Sequence, residues 1–574
     1  MKKITLLFLL GVVVSFAQES KNEKFDTYAK DRDDQAFLGL IKPDSIKILE
    51  HESNLNMPYT HREYMDLEYY YDRSDNSHTA VKPYVYNEIS QFADLDAQKH
   101  ALMKKRKTWF GRKLLNEHFI QAQGKDYWFT IDPLVDLQLG KDNSDLDYTY
   151  NNTRGIQIQG SLGKKFSFST TFLESQGRFA EYVNQYAESI KPDGGNPAII
   201  PGRGIAKEHG ENAYDYPVGL AYLSYTPSKF FNFQFGHGKN FIGDGYRSMF
   251  MSEASSPNPY FRINTTFWKI KYTNIWTWNK DVRSEETVDG VYATKLTATH
   301  YLSINATKKL NLGFFESVLW DPESNDRGFD VNYINPIIFY RSIEFATGSR
   351  GGNALVGFSA KYKWTPRFNT YMQIMLDELT VGEIGTGNGY WGNKSGFQIG
   401  AKYHHAFGIK NLNLQGEYNS ARPYTYSHRK VILNYGNTNQ PVAHLWGANF
   451  QEVVGIAYYQ MNRWYVNAKG IIGFKGFDID STPDVSYGGD IYKSYDDRVA
   501  DYGNEIGQGN KTDIFIGDLQ LGYIVNPATN LKLFGGITYR NFTPEFETAT
   551  LKENQTTWIT VGIRTDIFDW QFDF

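Results

Sequence analysis

Residues 411–419 read NLNLQGEYN. Leu412, Leu414, Gly416 and Tyr418 share one face of an extended chain, and Asn413, Gln415 and Glu417 share the other. A period of two is the signature of a strand whose faces meet different surroundings. The same alternation recurs in RGIQIQGSL (154–162), where Ile156 and Ile158 alternate with Gln157 and Gln159. In FWKIKYTNIWTW (267–278), Trp268, Ile270, Tyr272, Trp276 and Trp278 oppose Lys269, Lys271, Thr273 and Thr277. A soluble sandwich alternates too, but seldom gathers that many aromatic rings on one face of one strand. Aromatic side chains collect at membrane–water interfaces. These stretches therefore read as strands with one face in lipid and one toward a wet lumen.

Composition points the same way. Tyr, Phe and Trp make up 16% of the chain, Gly contributes 51 of 574 residues, and there is no cysteine. Thiolate zinc sites, disulfides and lipid attachment through cysteine are thereby excluded. The start, MKKITLLFLLGVVVSFAQES, carries Lys2 and Lys3, an apolar run from Ile4 to Val14, and small residues at Ser15 and Ala17. It reads as a signal peptide (1–17) cleaved near Ala17, which predicts an exported protein. No later apolar stretch is long enough for a spanning helix. Export without spanning helices, in an aromatic- and glycine-rich chain, suits a transmembrane β-barrel in the outer membrane, with membrane lipid as its first partner. A net charge of −4 argues against a nucleic-acid partner.

Connection lengths give an independent argument. Short joints at 163–165, 226–229, 306–309, 365–368, 407–410, 461–463 and 526–530 alternate with long polar stretches such as 175–213, 380–394, 423–443 and 476–512. Short periplasmic turns and long outer loops are the habit of outer-membrane barrels. Following the parity predicts an all-β, antiparallel barrel over 127–574 with about eighteen strands. That count takes 246–252 as a descending strand, 256–259 as a periplasmic turn, and 322–353 as contributing no net crossing. Alternation changes face at Ile567–Phe568, which predicts a bulge or a separate tail. Residues 18–126 read as a mixed, partly helical periplasmic or plug segment, with a helix from about Asp94 to Leu115. That helix carries Lys99, Lys104, Lys105, Arg106, Lys107, Arg112 and Lys113, either as a solvated face or as a contact for anionic groups.

GHGKNFIGDGYRS (236–248) imitates the first half of a phosphate-binding loop, but Asp244 and Gly245 stand where Lys and Ser or Thr belong. The glycines are better explained by a tight fold at the barrel mouth, turning inward. No Gly-x-Ser-x-Gly elbow or His-Glu-x-x-His motif is present. His404 and His405, if on a strand, face opposite ways and cannot chelate one ion together, and Asp377 and Glu378 diverge likewise. The chain is accordingly read as non-enzymatic, without metal or cofactor.

The stretch 236–252, followed by NPYF and TFWKIKYTNIWT, resembles the Wzi-type capsule-assembly outer-membrane proteins of Bacteroidota. FFESVLW (314–320), VNYINPIIFYRSIEF (331–345), GNALVGFSAKY (352–362) and YMQIMLDEL (371–379) match that family's order of motifs. Within the group, SDNSHTAVKPYVYNE (74–88) and the overall layout are most similar to gliding-motility members. Lipid anchors occur among such members, and the missing cysteine departs from that pattern. The resemblance implies an eighteen-stranded, non-catalytic barrel that attaches surface polysaccharide or serves gliding.

On the residues alone, the candidates for glycan binding or for lining the lumen are Asp244, Tyr246 and Arg247 after the glycine loop. To these are added Glu316 and Asp377 near the outer ends of ascending strands, and Asn335, Arg341 and Glu344 in a segment free to fold into the lumen. Carboxylates, an arginine and tyrosines suit sugar hydroxyls and rings; the same groups suit a structural network that closes the pore. Surface polysaccharide and other outer-membrane proteins are the expected partners. A pore, or an accessory subunit of a larger outer-membrane machine, is the alternative role.

Overall fold

A computed structural model describes residues 53–323, 328–335, 340 and 352–574. The expected signal peptide, residues 18–52, Arg341 and Glu344 lie outside the described residues. Eighteen antiparallel strands close into one barrel. In chain order they are β1 (Tyr127–Lys141), β2 (Thr149–Leu162), β3 (Phe166–Arg178), β4 (Tyr214–Ser228), β5 (Phe231–Gly238) and β6 (Asn258–Phe267). Next come β7 (Ile270–Asp281), β8 (Ala293–Asn305), β9 (Leu310–Trp320), β10 (Asn353–Lys363), β11 (Phe368–Glu378) and β12 (Lys394–Tyr403). The last six are β13 (Leu412–Ala421), β14 (Phe450–Met461), β15 (Trp464–Phe477), β16 (Asn510–Asn526), β17 (Leu531–Pro544) and β18 (Asn554–Thr565).

The burial pattern is inside-out. On β13, Gln415 and Glu417 are 4% and 3% exposed, whereas on the outer wall Leu139 and Ile472 are 61% and 60% exposed. Register preserves this polarity around the barrel. Tyr418 pairs with Ile399 on one side and Val453 on the other, all outward. An apolar girth of this kind is the face a membrane covers.

The eighteen-strand total holds, but two strands differ from the parity reading. Residues 246–252 are not a strand: 239–257 folds into the lumen, where Phe241–Ile242 pairs with Val81–Lys82. The crossing is recovered at Trp268–Lys269, where β6 and β7 form a hairpin with Phe267 opposite Ile270. Trp268 takes a left-handed backbone at φ 51° in that turn; the outward set passes from Phe261, Ile263 and Phe267 to Ile270 and Tyr272, and the adjacent apolar pair Phe267–Trp268 hides that change of parity. Helix α1 spans His61–Asp72, and the expected helix over 94–115 is two helices, α2 (Leu95–Leu102) and α3 (Trp109–Leu115). Each has its own cap, Asp94 accepting from the Ala97 N–H and Thr108 from the Gly111 N–H. Four consecutive cations at 104–107 are left in the break.

The seam is asymmetric. β18 pairs with β1 only from Asp136 to Lys141. Below that, residues 120–123 pair with Trp128–Ile131 of β1. After Thr565 the chain leaves the wall, and 566–574 turns into the lumen. Phe574 stacks on Tyr186 at 3.8 Å, and the Trp446 indole donates to the Asp573 carbonyl at 2.7 Å. The change of face at Ile567–Phe568 marks this departure.

The lumen is filled by five pieces: 53–93, 179–206, 239–257, the loop 422–449 and the tail 566–574, with Arg203 of the second donating to the Asp569 carbonyl at 3.0 Å. Helix α1 (His61–Asp72) is held by the inward lysines of three wall and plug positions. Glu68 lies 2.6 Å from Lys402, 3.4 Å from Lys82 and 3.8 Å from Lys361; Lys361 also meets Asp72 at 2.6 Å. Buried charges of this density persist only when each has a partner.

Candidate functional site at the outer mouth

The long loops carry a shelf of rings. Tyr390 and Trp391 come from the β11–β12 loop, and Tyr495, Arg498 and Tyr502 from the β15–β16 loop. Trp391 lies 4.8 Å from Tyr495, and Tyr390 lies 5.4 Å from Tyr502. The Arg498 guanidinium covers Trp391 at 4.3 Å and pairs with Asp501 at 2.6 Å.

Backbone pairing makes the shelf rigid. The Trp391 N–H donates to the Asp501 carbonyl at 2.9 Å, Gly503 to Asn388 at 2.8 Å, and Asn504 to Gly389 at 3.0 Å. Gly389 has φ +68°, and a Cβ there would stand 2.7 Å from the Asn504 nitrogen. Only glycine meets both conditions. Beneath the rings, Lys394 is buried against Tyr495 at 4.8 Å and paired with Asp377 at 3.1 Å. Burial, with Glu378 and Asp496 nearby, pushes the Tyr495 phenol up to about 12. It is a neutral donor at pH 7. Flat rings, a cation, carboxylates and amides on a fixed frame are what a sugar surface needs: C–H faces stack and hydroxyls find donors and acceptors.

The sequence-predicted residues do not converge on one site. Asp244, Tyr246 and Arg247 sit in the lumen. The Tyr246 and Arg247 N–H groups donate to Glu417 at 2.8 and 3.0 Å, and the Arg247 side chain meets Glu452 at 3.3 Å and Asp573 at 3.4 Å. Asp244 accepts from Thr79. A Cβ on Gly245 would stand 2.4 Å from a Glu417 oxygen, which explains the glycine: the backbone must reach that carboxylate. Asp377 faces inward, directly under the shelf, where it also accepts from the Tyr426 N–H at 2.8 Å.

Glu316 corrects the lumen assignment. Its neighbours Phe315 and Ser317 point inward, Phe315 stacking on Phe250 at 4.6 Å. By strand alternation Glu316 therefore faces outward. It is buried there because the Tyr340 N–H donates to it at 2.7 Å. The described part of 322–353 lies over this outer wall, with Tyr333 stacked on Trp320 at 4.8 Å and accepting from the Trp276 indole at 2.8 Å. Its physical reason is chemical: outward Trp276, Trp320 and Tyr272 offer rings to cover, while the lumen is already full. Asn335 lies exposed in the same strap.

Among the described residues, Glu68, Asp72 and His404 approach as a metal trio would, with ligand atoms within 4.8 Å of one another. The donor set does not fit a cation, since Lys402, Lys82 and Lys361 already stand on the two carboxylates.

The shelf was not among the sequence candidates. Its signal was there: GNGYWGN (387–393) and the tyrosines of 487–502 are aromatic residues in otherwise polar loops. What no sequence pattern supplies is that two loops about a hundred residues apart zip together.

No family model matches the chain, and no curated protein matches it by sequence. Among solved structures it is similar to Wzi of Escherichia coli, an outer-membrane protein involved in group 1 capsule assembly and described as a carbohydrate-binding β-barrel. Identity is 14%, the TM-score is 0.52, and the match covers 88% of this chain and 98% of that one. Two Pseudomonas aeruginosa proteins, OprD and OccK8 (OprE), match at TM-scores of 0.39 and 0.41 with 12% and 9% identity. Each match covers 78% of this chain, with 96% of OprD and 98% of OccK8. At these identities the likeness concerns architecture, and the chain shares the closed barrel fold of Wzi.

Proposed function

We propose that this chain is a non-enzymatic outer-membrane barrel acting at the cell surface, in attachment of surface polysaccharide, in RemB-like gliding motility, or in both. The observation that carries the proposal is the rigid ring shelf at the outer mouth, above a lumen crossed by ion pairs. Binding at the mouth needs no through-path, and the filled lumen provides none for a polymer. The fold shared with a carbohydrate-binding barrel supports the same reading, as does the order of motifs in the sequence.

The test is a deletion strain complemented with the wild-type chain or with Trp391→Ala/Tyr495→Ala, scored together for retained surface glycan and for cell spreading. The proposal expects both to fall in the deletion strain, and the double variant to reach the surface yet fail to restore them. Full restoration by the double variant removes the shelf from the proposal. Unchanged glycan and spreading on deletion removes the function itself.

A further inference from the structure

At the opposite, periplasmic rim lies a surface that glycan binding does not use. Here β18 stops short: its last pair with β1, Arg564 with Asp136, leaves the lower part of β1, on the side away from β2, paired only with 120–123. Residues 102–119 fill the notch. Arg463, in the β14–β15 turn, donates to the carbonyls of Leu102 at 2.6 Å and Leu115 at 3.1 Å. Asn526, at the foot of β16, donates to the carbonyls of Lys113 and Glu117, each at 3.0 Å. Asp132 of β1 accepts from the Phe119 N–H at 2.8 Å. The segment is thus pinned at three places on the wall, one turn and two strands, and is no loose arm.

What it presents is amphipathic. Trp109, Phe110 and Leu114 on α3, with Phe119 and Ile120 after it, are 43–67% exposed. Ile120 pairs with Ile131 and so points outward with the lipid-facing wall. Beside this apolar patch run Lys104, Lys105, Arg106 and Lys107. Lys104 reaches the outward-facing Tyr523 hydroxyl at 2.6 Å, and Tyr523 packs on Trp464 at 5.0 Å in the lower aromatic girdle. Arg112 and Lys113 are paired with Glu117, whereas the other three cations of the run extend into solvent. The apolar patch is continuous with the membrane face, and the cations sit at its lower edge.

We propose that 103–120 is an interfacial anchor: Trp109, Phe110 and Leu114 enter the periplasmic leaflet, and Lys105, Arg106 and Lys107 bind the phosphates of its anionic phospholipids. Large apolar rings beside a basic run are the chemistry of a helix lying in a membrane interface, and each lysine or arginine near an anionic surface adds attraction within a Debye length. A second protein is the competing occupant. The outward-facing girdle that continues the patch favours lipid.

The experiment uses the full chain in nanodiscs, exploiting the absence of native cysteine. A nitroxide is placed at Phe110→Cys, with Tyr502→Cys as an outer-loop control. In phosphatidylglycerol-containing discs the label at 110 is expected to relax strongly with oxygen and weakly with a water-soluble nickel chelate, and the label at 502 the reverse. Separately, Lys105→Glu/Arg106→Glu/Lys107→Glu is expected to lower retained phosphatidylglycerol at least tenfold, with phosphatidylcholine unchanged. Heat-modifiable gel mobility confirms that the barrel is folded. A label at 110 as open to nickel as the one at 502 overturns immersion. Equal phosphatidylglycerol retention by the folded charge-reversed protein overturns the headgroup site.

Discussion

Replacing Glu68 with glutamine tests how the lumen is held. The carboxylate of Glu68 lies 2.6 Å from Lys402 and 3.4 Å from Lys82. Lys361, 3.8 Å away, has Asp72 at 2.6 Å as its nearer partner. The change therefore removes the counter-charge from two ammonium groups, Lys402 and Lys82, the latter keeping the Gly243 carbonyl at 2.8 Å, and leaves the third paired. Burial alone would raise the Glu68 carboxyl, yet the three lysines hold it far below the usual carboxylate range. Removing one member of a buried ion pair costs ~3–5 kcal/mol. Glutamine keeps the volume and one acceptor, so the low end, ~3 kcal/mol, applies, which is roughly a hundredfold in an opening equilibrium. Hydrogen exchange of peptides spanning α1, in full-length protein in detergent or nanodiscs, reads that constant. The expected result is about hundredfold faster exchange over 61–72, with the barrel strands unchanged. Adding Lys402→Met removes one orphaned charge and should return part of the protection, so the two changes are strongly non-additive. Wild-type exchange in Glu68→Gln, or strict additivity with Lys402→Met, would refute the reasoning.

Other consequences are as specific. Trp391→Ala should weaken glycan retention about tenfold, from ~1–1.5 kcal/mol of lost stacking, in a cell-surface binding assay. Gly389→Ala should unzip the two loops, because its Cβ meets the Asn504 backbone at a left-handed φ; protease nicking near 389 and 503 measures this, with barrel folding intact. Gly245→Ala should push the backbone off Glu417 and destabilise the inner loop by ~1–3 kcal/mol, read as faster exchange over 241–252. His61, lowered to about 3 mainly by burial, is neutral in the folded protein but titrates near 6.5 unfolded. The unfolded chain therefore binds the extra proton, and stability falls as pH drops from about 6.5 toward 3, by ~1.4 kcal/mol per unit. His61→Gln should flatten that acid limb by the same slope in denaturant titrations of refolded protein.

The barrel was legible because its rule is local. Asn413, Gln415 and Glu417 alternate with Leu412, Leu414 and Tyr418, and a period of two needs no knowledge of distant residues. The hairpin at Trp268–Lys269 is masked because Phe267 and Trp268 are both apolar: Phe267 closes one outward set, Trp268 falls in phase with Ile270 and Tyr272, and the change of parity reads as one continuous strand. Inward turning of the glycine loop was readable from Gly243 and Gly245, since close approach needs a missing Cβ. Its destination was not, because Glu417 lies far away in sequence. Glu316 illustrates the limit of residue type as a guide. A carboxylate on an amphipathic strand suggests the wet face, yet here a strap through Tyr340 makes an outward position polar. The ring shelf depends on pairing between 388–391 and 501–504, which only the closed barrel brings together.

The most direct test of the account is the conductance of the purified full chain in a planar bilayer. A lumen occupied by 53–93, 179–206, 239–257, 422–449 and 566–574, fastened by buried ion pairs, predicts insertion without a steady current. A stable ohmic current from folded wild-type protein would contradict it, since an open water path cannot coexist with those contacts.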